Sequence, residues 1–338
     1  MTAPPVQAVA GFDVVIVGAG PAGMAAAIAA KQRGLRHVVL EQAALVNSLL
    51  HYPADMVFFT TPDLMEIGGL PFVSPHDKPT RQEALKYYRR VADAFALDMH
   101  FDEPVISLAR GADGIFHVGS QPRGQAPVTR SARAVIVASG AYDLPNRLNV
   151  PGEDLPTVSH FYREPHPHYR RHVVIVGGKN SAVEAALDLY RNGAASVTLV
   201  HRHAVLGESI KYWVKPDIEN RITEGSIAAR FNARVVEITP ASMVIDAPAG
   251  REELRADFVY LLTGYRSDTS LLRSVGARID EVEGAPVLNA ETFETSVPNL
   301  FVIGAAVAGK QSGRIFIENG RFHGDVVIKN IANKFKGA

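Results

Sequence analysis

Two glycine-rich turns, each set between an apolar strand and a helix, restrict this chain to a narrow set of folds. The first is Gly18-Ala19-Gly20-Pro21-Ala22-Gly23, directly after the apolar run Phe12 to Val17. The second is Gly177-Gly178-Lys179-Asn180-Ser181-Ala182, after Val173 to Val176. Glycine at such a turn lets the backbone approach a pyrophosphate, and the helix that follows aims its free amides at the anion. One turn of this kind binds one dinucleotide. Two of them, each on its own strand–helix–strand unit, predict that two dinucleotides meet on one chain. A flavin and a nicotinamide suit each other chemically, because one passes hydride to the other. The expected class is α/β, with two three-layer Rossmann-like domains.

The first unit continues as the pattern requires. Met24 to Arg33 is alanine-rich, as a helix lying close to a sheet should be, and Gly34 ends it. His37 to Leu40 reads as the next strand, with Glu41 at its end near the ~20-residue spacing expected of a ribose-binding acid. A lone GxGxxG is also compatible with an ordinary tight turn. Strand, three glycines, helix, strand and terminal acid together point to a dinucleotide.

The second unit has a helix from Ser181 to Arg191, closed by Asn192-Gly193, and a strand from Ser196 to Val200. His201-Arg202-His203 follows, where an acid would hold the 2′-hydroxyl of NAD. A guanidinium matches the 2′-phosphate of NADP, so NADPH is the expected nicotinamide; a surface basic cluster is the plainer reading. Lys179 stands at the second glycine position. Either its ammonium contacts phosphate or the site is weakened. Further buried-strand patterns run over Ala134 to Ala138, Val259 to Gly264 and Asn299 to Gly304. A helix starting near Gly313 would point its positive end at reduced flavin, or would only pack. His160 to His172 is rich in His, Pro, Arg and Tyr; its histidine spacing matches no metal-ligand pattern, and a solvated connector is expected.

Composition narrows the class further. A chain of 338 residues suits two domains at ~150 residues each, and 47% apolar residues fill two cores. Lys+Arg and Asp+Glu both number 35, so no nucleic-acid partner is implied. Cysteine is absent, which excludes disulfides, thiolate metal sites and a cysteine nucleophile; no metal is expected. Val14 to Ala30 carries no charge, but its glycines and proline break it as a membrane span. The first basic residue is Lys31, which argues against a secretory signal. A cytoplasmic protein away from membranes is expected, with residues 1–10 as a flexible tail.

With these residues assembled, the chain resembles the thioredoxin-reductase-like flavoproteins, and within them the bacillithiol disulfide reductase family. The likeness runs from Phe12 to about Ile331 and is most specific at Val46-Asn47-Ser48, His51-Tyr52-Pro53, Phe58 to Thr61, Leu64 to Phe72, Gly177 to Ser181 and Ile315 to Gly324. It implies a discontinuous FAD domain (11–155 and 262–338) with an inserted NADPH domain (156–261), in a homodimer. On the flavin side it implies roles for Gly18, Gly20, Pro21, Ala22, Gly23, Glu41 and Gln42. Asn47, Ser48, Tyr52, Thr60 and Val105 join them, as do Ser139, Gly140, Gly304, Ala305, Arg314 and Ile315. On the nicotinamide side it implies Gly177, Lys179, Asn180, Ser181, His201, Arg202 and His203. His51, Tyr52 and His323 are implied near the flavin, but no catalytic residue follows.

Two departures limit what carries over. Thioredoxin reductases have a CxxC in the inserted domain, and bacillithiol-linked members typically have a cysteine at the position of Ala22; this chain has neither. Ala305 stands where the wider superfamily has an aspartate toward the ribityl chain. The leading expectation is an NADPH-dependent FAD oxidoreductase acting on a small-molecule disulfide or a small redox protein. A ferredoxin- or flavodoxin-NADP reductase and a non-catalytic flavin/NADPH redox sensor stay open.

Overall fold

A computed structural model gives the fold of residues 7–337. The chain divides into two compact units. One takes in the described residues through Leu50, Met56–Leu144 and the chain from Tyr265 on; the other takes in His51–Asp55 and Pro145–Gly264.

Strand Gln7–Val17 lies in the middle of the first unit's sheet and serves two cores at once. Successive side chains on a strand point to opposite faces. Val14 and Ile16 therefore join Ala26, Ala27, Ala29 and Ala30 of helix Pro21–Gln32 and Val327, Ile328 and Ile331 of helix His323–Lys336. Val15 and Val17 join Leu108, Phe116 and Val118 on the other face. Both faces are covered, so the end of the strand, Val14 to Val17, reads as a continuous apolar run and not as an alternation. Around it, His37–Leu40 and Met99–His100 pair in parallel on one side and Val128–Val137 on the other. The end of Val128–Val137 also pairs in parallel with Leu300–Val302, while its beginning pairs antiparallel with Phe116–Ser120.

The second unit repeats the plan. Its five-stranded parallel sheet runs Ala228–Arg230, Ser196–Val200, His172–Val176, Phe258–Leu261, Val158–Ser159. Val173 and Ile175 face helix Asn180–Arg191, and Val174 and Val176 face the antiparallel meander Arg234–Ile238, Ser242–Ala247, Gly250–Arg255. Each unit is a three-layer sandwich of helix, parallel sheet and antiparallel meander.

Several expectations change. Strand Gln7–Val17 begins inside the expected tail, because Gln7, Ala8 and Val9 pair with Val128, Thr129 and Arg130; residues 1–6 of that tail lie outside the described residues. Residues 145–155, expected on the first domain, pack with the second unit. Ile238 donates its N–H to Pro151 O at 2.9 Å, and a Cβ on Gly152 would lie 1.8 Å from Ile238 O. The His-rich stretch is largely solvated, as expected, but it lies within the second unit and is anchored there by two buried side chains. His168 is buried with Nε2 2.7 Å from the Tyr260 hydroxyl, and the buried Tyr162 donates to Asp188 at 2.6 Å. These aromatic side chains bury more apolar area than their polar tips need in water, which draws the segment onto the sheet.

No continuous helix starts near Gly313. Ser312–Arg314 is one 3-10 turn, Ile317–Gly320 one α-turn, and the long helix begins only at His323. Asn319 explains the break, since its Oδ1 accepts from Phe316 N–H and its Nδ2 donates to Arg314 O. A side chain that competes for backbone groups in this way favours a turn over a helix.

Candidate functional site

The first turn shows a different physical reason for each glycine. Gly18 has φ +108°, and a Cβ there would lie 2.5 Å from Ala138 O. A Cβ on Gly23 would lie 2.0 Å from Gly18 O, so the helix can approach its own turn only without a side chain. Gly20 is the helix N-cap, and a Cβ there would meet nothing within 4 Å. The open space at Gly20 is what a pyrophosphate needs. Pro21 occupies the first helical position, where its missing N–H costs nothing, leaving the Ala22 and Gly23 amides free for an anion.

Glu41 is 5% exposed and braces this turn. One carboxylate oxygen accepts from Ala19 N–H at 2.7 Å, and the other from Ala43 N–H at 3.1 Å. Burial pushes its carboxyl above the usual range, the two amides partly counteract this, and Asp143 adds to the rise. Each oxygen keeps a second lone pair for a ribose hydroxyl. Beneath it, Glu103 donates its N–H to Glu41 O at 2.9 Å and forms a buried ion pair with Arg130, which also bonds Ser120. That pair fixes the strand end carrying Glu41.

The structure gathers part of the expected flavin set around the turn. A Cβ on Gly18 would lie 3.3 Å from Ser139 Cα, and Ser48 Oγ comes within 3.8 Å of a Cβ on Gly140. Ala22 Cβ faces Gly304, at 2.8 Å from a Cβ built there, and Gly304 has φ +65°. Gly304 N–H donates to His323 Nδ1 at 3.2 Å, and the His323 ring stacks on Phe293 at 4.1 Å. Burial lowers the affinity of His323 for a proton, which favours the neutral, accepting Nδ1. Two buried hydroxyls of the first unit, Ser139 Oγ and Thr60 Oγ1, meet no hydrogen-bond partner among the described residues. Buried polar groups are normally satisfied. An FAD at the turn offers phosphate, ribityl and isoalloxazine acceptors, so these residues fit that group.

Other expected positions have partners of their own. Gln42 donates to Asp143 at 2.6 Å, and Ala305 O accepts from Ser267 at 3.4 Å. Val105 opens a strand paired to Ser120, and Asn47 starts the single turn Asn47–Leu50. Arg314 and Ile315 belong to the turn organised by Asn319. His51 and Tyr52 fall in the segment His51–Asp55 of the second unit, where Ala54 N–H donates to Arg163 O at 2.8 Å.

The second turn is crowded by its own protein. A Cβ on Gly177 would lie 2.6 Å from Leu262 O, and one on Gly178 would lie 2.3 Å from the His201 ring. A side chain at Gly178 would have to displace the His201 ring. Lys179 is the exposed N-cap of a twelve-residue helix and gives it no side-chain cap, so the Asn180 and Ser181 amides and the Lys179 ammonium suit a diphosphate. Burial, then the neighbouring His203 and Arg202, lower the His201 pKa. Arg202 is exposed at the strand end, with Nε donating to His203 Nε2 at 3.1 Å. The Asn180 side chain is engaged within the protein: its amide grips Ser209 and Lys211, leaving its backbone N–H at the helix N-terminus. No periodicity marks that loop, and only Gly207 between Leu206 and Ser209 hints at a close approach.

The family model for pyridine nucleotide-disulphide oxidoreductases matches residues 15–304. Bacilliredoxin reductase Bdr of Bacillus subtilis is 39% identical over 323 residues, 95% of this chain and 97% of its own. The structure of bacillithiol disulfide reductase Bdr from Bacillus cereus superposes with a TM-score of 0.93 at 38% identity, covering 96% of this chain and 99% of that one. Ferredoxin–NADP reductase 1 of Bacillus licheniformis is 26% identical over 341 residues, 96% of this chain and 89% of its own. Among the described residues no helix is long and apolar enough to cross a membrane.

Proposed function

The chain belongs to the pyridine nucleotide-disulphide oxidoreductase family, and from that premise we propose that it acts as a cytoplasmic homodimer reducing a small-molecule disulfide or a small redox protein. It is an NADPH-dependent flavoprotein oxidoreductase that resembles bacillithiol disulfide reductase. The names of its relatives point to bacillithiol disulfide and a bacilliredoxin as first acceptors to try. When bound, FAD would supply the hydride-accepting and electron-transferring chemistry that no side chain of this chain provides.

We assign FAD to the first unit and NADPH to the second. Gly18, Gly20, Pro21, Ala22 and Gly23 cradle the FAD pyrophosphate, and Glu41 takes the ribose hydroxyls. Ser48, Thr60, Ser139, Gly140 and Gly304 line the rest of the flavin site. Gly177, Lys179 and Ser181 hold the NADPH diphosphate, and Arg202, flanked by His201 and His203, takes the 2′-phosphate. His323 holds Gly304 beside Ala22 through its neutral ring.

The observation that carries the FAD assignment is the unfilled room at Gly20 on a turn whose neighbouring glycines are both closed by backbone. It is tested by purifying the protein and measuring its flavin. Yellow protein with one non-covalent FAD per chain, bleached anaerobically by NADPH, is expected. Colourless protein that takes up no FAD on incubation sinks the assignment.

A second reading draws on one observation, the absence of cysteine from all 338 residues. Without a thiol the electrons leave directly from the flavin site, which suits a one-electron acceptor as readily as a disulfide. Turnover with ferredoxin or flavodoxin far above that with bacillithiol disulfide favours this reading.

A further inference from the structure

Residues 204–213 form an irregular loop between strand Ser196–Val200 and helix Lys215–Thr223, and it is tied to the second glycine turn at three places. Leu206 and Ile210 are buried in the same core as the helix that follows the turn. Gly207 N–H donates to Gly178 O at 2.9 Å. Asn180, the first residue of that helix, bridges two points: its Nδ2 donates to Ser209 O at 3.0 Å, and its Oδ1 accepts from Lys211 N–H at 2.9 Å. Lys211 in turn pairs with Glu184, one helical turn further along. Both ends of the Asn180 amide are thus committed to the loop.

We propose that Asn180 is a positioning residue for the nicotinamide dinucleotide, latching the loop 204–213 onto the turn that takes the diphosphate. The proposal rests on assigning the second turn to that cofactor. The physical basis is that the anion-binding amides sit at the N-terminus of the same helix. A loop fixed against Gly178 and Asn180 keeps those amides in one geometry, whereas a loose loop leaves them solvated and mobile before binding. Ordering it then draws on binding free energy, which weakens affinity without touching the chemistry. Because Asn180 is engaged at the diphosphate end, its loss acts equally on NADP⁺ and NAD⁺. Arg202 acts on the 2′-phosphate and separates them.

The loop carries its own reporter. Trp213 is the single tryptophan of the chain, half-exposed and packed edge-to-face on Tyr212 at 4.9 Å. The test compares FAD-loaded wild type, Asn180→Ala, Asn180→Ser and Arg202→Ala. It reads NADP⁺ and NAD⁺ dissociation constants, the limiting rate of flavin reduction, and acrylamide quenching of Trp213 selectively excited at its red edge. Loss of two neutral hydrogen bonds should raise both dissociation constants together by roughly 10-fold. The limiting rate should change less than the affinity. Trp213 should become more quenchable in the nucleotide-free Asn180→Ala protein and return toward wild type with saturating NADP⁺. Asn180→Ser, which keeps one polar group, should fall between, and retained FAD shows that the first unit is folded. Unchanged dissociation constants, an effect confined to NADP⁺, or Trp213 quenching identical to wild type would overturn the latch. Wild type that binds neither nucleotide overturns the cofactor assignment itself, which is a separate result.

Discussion

Gly20 and Gly23 lie on one turn of backbone, yet the structure predicts opposite consequences for replacing them. Gly23→Ala places a methyl 2.0 Å from Gly18 O, a backbone atom that cannot swing aside, so helix and turn must separate by more than an ångström. Overpacking of that kind costs about 1–3 kcal/mol, which for a unit of this size lowers Tm by about 2–12 °C. A Cβ at Gly20 meets no atom of the described residues within 4 Å, and its backbone (φ −74°, ψ 175°) is extended and open to any residue. The folding cost of Gly20→Val is the N-cap preference alone, about 1 kcal/mol. The valine instead fills the room reserved for the pyrophosphate. Each charged hydrogen bond lost there weakens FAD by about 1.5–3 kcal/mol, roughly 10- to 150-fold. Calorimetry of FAD-stripped protein and FAD titration by fluorescence separate the two effects. Melting must be compared without FAD, because bound cofactor raises Tm by mass action. A Gly20→Val protein that binds FAD as tightly as wild type refutes the cradle, and a Gly23→Ala protein with unchanged melting refutes the packing reasoning.

Arg202→Ala should weaken NADPH about 10- to 150-fold and NADH little, and equal use of both by wild type removes the 2′-phosphate assignment. Reductive titration should consume about one two-electron equivalent per FAD, since no cysteine exists to store a second pair; two equivalents contradict this. Ala22→Cys puts a thiol beside Gly304, and a large gain in bacillithiol disulfide reduction would show that the natural protein serves another acceptor. Burial lowers the pKa of His168 and His323, and burial plus neighbouring charge lowers that of His201, so the folded state binds fewer protons than the unfolded one. Stability from these groups is complete above about pH 6.5 and is lost as pH falls through their lowered folded values. Melting followed from pH 7.5 to 5 should show that decline, and His168→Gln should flatten it.

Much of this was legible because parallel strands buried on both faces announce themselves as apolar runs. Val14 to Val17 and Val173 to Val176 stand out for that reason, and the glycines after them locate the turns. The acid Glu41 was placed by spacing alone. What escaped depends on partners far off in sequence. The strand at Gln7 exists because Val128–Val137 offers pairing groups, and His168 is buried because Tyr260 and Phe258 receive it. Gly178 was legible as a glycine, but the ring of His201 beside it was not. Asn180 matches the turn pattern, so its grip on Ser209 and Lys211 left no trace in the sequence. The expected helix near Gly313 failed on one side chain, Asn319, whose hydrogen bonds outweigh local helix preference.

The core of the first unit also sets an order of assembly during synthesis. Val14, Ile16 and the alanines of Pro21–Gln32 leave the ribosome early, but the side chains that cover them, Phe301, Ile303, Val327, Ile328 and Ile331, come last. Most of the second unit, Pro145–Gly264, is one unbroken stretch made in between. Vectorial folding usually favours whatever is synthesised first. Here the nascent chain can close the later unit while the earlier one still exposes half its core. Gly324, near the start of the last helix, lies so close to the backbone of Ala26 that a Cβ on it would be 2.5 Å from Ala26 N. A ribosome stalled before residue 300 therefore holds a chain in which the helix behind the first glycine turn still lacks the side chains that cover it.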